Sequence, residues 1–86
     1  LKENVETIDN ALDKVSLMRG VYFDLIAKPG NRKTGLIAQE VEKVLPEVIS
    51  TSPDGEGIKS IAYANVVGIL VEAIKELKNE VDQLKG

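Results

Sequence analysis

Apolar residues change their period twice along this chain, and each period names an element. Ile8, Ala11, Leu12, Val15 and Met18 recur three and four residues apart, the spacing that aligns side chains on one face of a helix. Thr7 and Asp9 stand before the run as capping candidates and Arg19-Gly20 follows it as a stop, so the pattern predicts a short amphipathic helix from Asp9 to Arg19. From Val21 the period becomes two: Val21, Phe23 and Leu25 alternate with Tyr22, Asp24 and Ile26, as a half-buried strand requires. Lys28-Pro29-Gly30-Asn31 carries turn chemistry, and the run Thr34 to Ala38 is apolar enough to pair back. An antiparallel hairpin follows, with the basic stretch Lys28 to Lys33 as its loop.

Gln39 to Leu45 reads as two helical turns with Val41, Val44 and Leu45 on one face and Pro46 at the end. Glu47 to Ser50 and Ile58 to Tyr63 are the next apolar pieces, joined by Thr51-Ser52-Pro53-Asp54-Gly55-Glu56-Gly57, which predicts two short strands and a turn-rich connection. Asp54 and Glu56 alternate as calcium ligands do, but an EF-hand loop needs a longer ordered set of oxygens and a downstream Glu, so a plain turn is expected.

The last segment has the strongest period. Val67, Leu70, Ile74, Leu77, Val81 and Leu84 follow one another at three, four, three, four and three residues, a heptad seam with Val67, Ile74 and Val81 at one core position and the leucines at the other. The stretch Val66 to Val71 is apolar almost all round, whereas from Lys75 onward only the seam is apolar. The helix is therefore expected to start inside a globular layer and leave it as an exposed stripe. Each such residue left in water forfeits about 1.5 to 3 kcal/mol relative to burial, and another copy of the same helix is the simplest partner. The alternative is an ordinary amphipathic helix packed on its own domain. In a parallel coil Glu80 would face Lys85 of a neighbour, while Lys78 would meet Ala73 and gain nothing. β-branched residues alternating with Leu suit two strands, but so short a seam leaves dimer and trimer open.

Composition narrows the classes. Eighty-six residues allow one domain, 1–86, with 1–65 globular and 66–86 the coiled-coil helix; so small a domain buries little surface alone and needs a staple. Cys and His are both absent, which removes disulfides, Cys/His zinc sites, haem ligation through these residues and any Cys-His or Ser-His pair. Oligomerisation is the staple that remains. No cofactor and no metal site is expected. Eleven basic against fourteen acidic residues give a net charge of −3 without the basic stripe that nucleic acid binding requires. Val66 to Val71 is far too short to span a bilayer and no signal peptide opens the chain, so neither a membrane protein nor a secreted precursor is expected. Leu1 in place of Met suggests a processed or excised fragment. The hydroxyl residues show no nucleophile elbow and no Ser-x-x-Lys arrangement, and Glu40 and Glu42, two apart on a helix, face different sides. No complete active site and no small-molecule substrate is expected.

Leu1-Lys2-Glu3-Asn4, the block Met18 to Asp24, the block Gly35-Leu36-Ile37-Ala38-Gln39-Glu40-Val41 continuing to Leu45-Pro46-Glu47-Val48, and Val71 to Leu77 together resemble the C-terminal intramolecular chaperone domain of endosialidase-type phage tail spikes and tail fibres. The resemblance runs in order over nearly the whole chain, and Gly35 to Val41 with Leu45-Pro46-Glu47 is its most specific part. It implies a homotrimer that sets the register of an upstream β-rich fibre or spike in the host bacterial cytoplasm and then cuts itself off at its own N-terminal edge. The family's cleavage motif is Ser-Asp-x-x-Leu-Lys-Glu-Asn, with Ser as nucleophile. Lys2, Glu3 and Asn4 match its last three positions, and the Ser would lie four residues before Leu1, outside this chain. Lys2 is then expected as general base, with Glu3 and Asn4 positioning it or the scissile carbonyl; a Lys serves as base only where burial or another cation favours its neutral form. Two other readings are a structural oligomerisation domain that stays attached, and the same module releasing a membrane-tethered transcription factor. The expected architecture is α+β and helix-rich: small hairpins, short helices, and a long C-terminal helix forming a parallel trimeric coiled coil.

Overall fold

The computed structural model describes residues 1–85. An arm without regular structure, residues 1–10, leads into α1 (Ala11–Ser16). An antiparallel hairpin follows, β1 (Val21–Leu25) and β2 (Lys28–Gly35), then α2 (Ala38–Glu42). A 3-10 turn (Pro46–Val48) leads to the second hairpin, β3 (Ile49–Thr51) and β4 (Lys59–Ile61), and α3 (Tyr63–Lys85) completes the chain. The α+β architecture with two small hairpins and a C-terminal helix is the one expected. Each hairpin is a separate two-stranded sheet.

The core belongs to the helices. Ala11, Val41, Leu45, Val48, Val66, Ile69 and Ala73 are buried, with Ile8, Leu12, Val15, Met18, Leu36, Val44, Ile49 and Ile61 packed around them. No polar or charged residue among those described is fully buried, so the centre is held by apolar packing alone.

Helix α1 is shorter than the period of its apolar residues predicts. Asn10 takes a left-handed conformation, φ 49°, and its side chain caps nothing. Asp9, expected as a cap, instead lies 3.5 Å from Lys14 Nζ. The amides that open α1 are held from far along the chain: Glu76 Oε2 accepts from Ala11 N at 2.9 Å and Oε1 from Leu12 N at 2.8 Å. A carboxylate suits that place, because the first amides of a helix lack intrahelical partners and carry partial positive charge.

In the first hairpin the turn falls at Ile26-Ala27, and Lys28 to Lys33 is strand rather than loop. Val21 pairs with Gly35, Tyr22 with Thr34, Phe23 with Lys33 and Leu25 with Lys28, so Pro29, Gly30, Asn31 and Arg32 stand against Asp24 alone. The Pro-Gly chemistry that reads as a hairpin tip is expressed as a bulge, with Gly30 at φ +85°. Arg32 reaches back to Asp24 at 3.7 Å and lies over the Tyr22 ring, 5.5 Å from its centre. Leu36 to Ala38, expected in the second strand, leaves the sheet. Leu36 turns toward the core and donates its N–H to the Tyr63 hydroxyl at 3.1 Å. That approach needs Gly35: a Cβ there would stand 2.5 Å from the hydroxyl and 3.2 Å from the Phe23 ring.

Pro46 does not simply end a helix. Helix α2 stops at Glu42, and Pro46 opens the 3-10 turn, which takes Glu47 and Val48 out of the expected strand. Ile49, Ser50 and Thr51 pair with Ile61, Ser60 and Lys59. In the connection, the Asp54 carboxylate accepts from the Ser52 hydroxyl and from Glu56 N. These bonds, the hydroxyl first, hold its carboxyl below the usual range. Helix α3 begins at Tyr63, three residues before the expected boundary at 66; the expected end at Gly86 lies outside the described residues.

The Arg19 guanidinium grips Glu40 with Nε at 3.1 Å from both oxygens and Nη2 at 3.0 Å from Oε2, tying the end of the α1 segment to α2. The hydrogen bonds from Arg19 hold the Glu40 carboxyl below its ordinary value. A carboxyl so lowered stabilises the fold at neutral pH, and the contribution disappears as pH falls through its folded pKa. An NMR titration should show Glu40 ionising at lower pH than a free glutamate, and Arg19→Ala should return it to the ordinary range; an unmoved midpoint would show the pair to be absent in solution. Gly35→Ala should lower unfolding stability by about 1 to 3 kcal/mol through overpacking, read from the urea midpoint. Tyr63→Phe, which removes the crowded hydroxyl, should make the same Gly35→Ala change less damaging, and additive losses would refute the contact.

Candidate functional site

Helix α3 carries two apolar rows. Val66, Ile69 and Ala73 are buried, and Glu76 continues their row onto the start of α1. Val67, Leu70, Ile74, Leu77, Val81 and Leu84 form the other row and are 40% to 88% exposed, so the residues expected as the seam face solvent in the single chain. The stretch Val66 to Val71, expected inside a globular layer, is instead two-faced: Val66 and Ile69 lie inward while Val67, Leu70 and Val71 are exposed. All-round apolarity here covers two faces, one buried against the domain and one exposed. At the upper end Leu70 borders a small cleft of about 190 Å³ with Val15, Met18, Leu36 and Val66, so the exposed row continues onto the globular part.

Past Glu76 every residue described is exposed and α3 runs free of its own domain. Lys78 bonds Asp82 at 2.6 Å and Lys75 meets Glu72 at 3.5 Å, helix-surface pairs that support the helix modestly.

The second candidate feature is the N-terminal arm. Lys2, Glu3 and Asn4 are exposed, and Asn4 is left-handed at φ 56°. Asn4, Glu6, Thr7, Ile8 and Asp9 form one wall of an open groove of about 560 Å³, opposite Val44 to Val48. Lys2 and Glu3 lie outside the lining of that groove, so the structure does not gather the three motif residues into one pocket. The arm is anchored by Ile8, which is half-buried against the core, and by the turn at Asn10.

Sequence reasoning missed Glu76 and Tyr63 as positioning groups. Glu76 had a signal: it lies three residues after Ala73 and seven after Ile69, so a carboxylate sits in register with the buried row and implies a polar partner there. Tyr63 had none, because its partner is the backbone of Leu36, brought close only by the fold. Among the described residues no cluster of acidic, His or Cys side chains is arranged to hold a metal ion, and no helix is long and apolar enough to cross a membrane.

Comparison with known proteins places this arrangement. The profile of a family described as chaperone of endosialidase matches residues 1–50. The long tail fiber protein Gp37 of Enterobacteria phage K3 is 35% identical over 92 aligned residues, which take in all of this chain and 7% of the fibre protein. Gp37 of Enterobacteria phage M1 is 34% identical over 92 residues, 99% of this chain and 37% of that protein. Gp37 of Salmonella phage S16 is 33% identical over 94 residues, 99% of this chain and 12% of that protein. The chain thus spans a minor part of the length of the relatives it matches. With a family match over more than half its residues, the chain belongs to the chaperone of endosialidase family.

Proposed function

We propose that this chain is a homotrimeric intramolecular chaperone that assembles an upstream phage tail fibre or spike of the same polypeptide and is then released by Ser-Lys self-cleavage. The observation that carries the reading is the row Val67 to Leu84, apolar, heptad-spaced and exposed on a helix that leaves its own domain. Three such helices in parallel bury the row in a common seam, and the trimer number comes from the family resemblance. The chain is one domain in which α3 is shared, Val66, Ile69 and Ala73 belonging to the globular core and the row from Val67 to Leu84 to the coil. Assembly takes place in the host bacterial cytoplasm, with the tail fibre relatives as support for the partner.

In the precursor, a Ser four residues before Leu1 is the nucleophile and Lys2 its base. The neutral Lys2 amine takes the Ser hydroxyl proton as Oγ attacks a peptide carbonyl at the domain's N-terminal edge. The C–N bond breaks, the Lys2 ammonium returns the proton to the leaving amine, and water hydrolyses the ester. Glu3 and Asn4 position the amine or the carbonyl. Lys2 is exposed in the single chain, so the desolvation that favours a neutral amine has to come from assembly, and cleavage waits for the trimer.

Sedimentation equilibrium of the chain should give a trimer, and Ile74→Glu with Leu77→Glu should give a monomer; a wild-type monomer at all concentrations would overturn the reading. In a precursor that includes the upstream Ser, Lys2→Ala should leave trimer that cleaves at least about a hundredfold more slowly. Wild-type processing of that variant would remove Lys2 from the mechanism.

A further inference from the structure

One turn of α3 does two things. Ile74 and Leu77 lie on its exposed face, 67% and 49% accessible, while Ala73 is buried and Glu76 reaches the start of α1. The bond pattern there is specific: each Glu76 oxygen takes one amide, at 2.9 Å from Ala11 and 2.8 Å from Leu12, across 65 and 64 residues of sequence. Two bonds from one planar carboxylate fix both the place and the direction of the helix start, which a single contact does not. Among the described residues helix α1 has no other side-chain restraint of this kind at that end, since Asn10 is left-handed and its side chain caps nothing. The arm joins α1 at this point, is packed against the core by Ile8, and carries Lys2 eight residues before Asn10.

We infer that Glu76 is the positioning residue that transmits assembly along α3 to the arm bearing Lys2. Resting on the proposed self-cleavage, the inference assigns a division of labour around one helical turn. Packing of Ile74 and Leu77 against neighbouring copies fixes the rotation and height of that turn. Glu76, on the opposite side, carries the same placement to the Ala11 and Leu12 amides and so to the point where the arm departs. An unassembled α3 is free beyond Glu76 and gives the arm no fixed relation to the other copies. Glu76 touches no reacting atom in this scheme; it sets where the arm begins.

The test uses the precursor with its upstream Ser. Glu76→Ala and Glu76→Gln are purified, the trimer is isolated by sedimentation or size exclusion, and the cleavage rate is measured on that trimer alone. Misplacement of reacting groups by about 1 Å costs up to a hundredfold in rate, so Glu76→Ala trimer should cleave about ten- to a hundredfold more slowly than wild type. Glu76→Gln keeps one acceptor oxygen and should fall between the two. A merely structural role would lower the yield of trimer but not the rate of the trimer that forms. Trimer of either variant cleaving at the wild-type rate overturns the inference, and so does failure of both variants to trimerise, which would make Glu76 part of assembly itself. Lys2→Ala run in parallel separates the two ideas. If that variant also cleaves normally, the self-cleavage reading falls; if it is blocked while the Glu76 trimers cleave normally, only the role of Glu76 does.

Discussion

The row Val66, Ile69, Ala73 and Glu76 joins α3 to the rest of the chain, and the positions of the other elements follow from it. Three of these residues contribute apolar burial, which is strong but does not choose a direction. Glu76 adds the direction by holding two amides at the opening of α1. With α1 fixed, Ile8, Leu12, Val15 and Met18 face the core and Arg19 comes within reach of Glu40 on α2. The chain then has one small apolar centre, built where three helices and a 3-10 turn meet.

The hairpins lean on that centre without forming it. The first is attached where Gly35 leaves room for the Tyr63 hydroxyl to reach Leu36 N, a contact between the end of a strand and the first residue of α3. The second, whose ladder the Ala62 N to Val48 O bond at 2.8 Å extends to the 3-10 turn, is held by Lys59, whose Nζ lies 2.9 Å from Glu42 on α2. Both attachments run to helices, so the hairpins follow the helical layer if it moves.

Period was the part of the fold most legible in the sequence. The alternation at Val21 to Leu25 gave β1, and the spacing from Ile8 to Met18 gave α1 and its inward face. Ends were less legible because they are set by distant residues: α1 begins where Glu76 holds it, and β2 ends where Leu36 is drawn toward Tyr63. The Pro29-Gly30 pair shows a different limit. It carries turn chemistry, but a bulge and a hairpin tip make the same demand for a residue of positive φ, and the pair lies in the bulge of β2 rather than at the tip. For the candidate site, the heptad spacing of the apolar row on α3 was legible, but the exposure of its first part, Val67 and Leu70, was not. The second, buried row was not separated from it, since Val66 to Val71 satisfies both faces at once.

The bulge in β2 also bears on what this edge offers to another chain. Both sheets are two-stranded, so every strand is an edge, with unpaired N–H and C=O groups available to any passing strand. On β2, Pro29 lacks an N–H, the excess residues Pro29 to Arg32 break the regular ladder, and Lys28, Arg32 and Lys33 crowd the same element with like charge. Strands β3 and β4 are three residues each, too short to offer a template. Strand-to-strand addition is therefore discouraged on β2, β3 and β4 by shape and charge, whereas the apolar row of α3 stands open to solvent without any such guard.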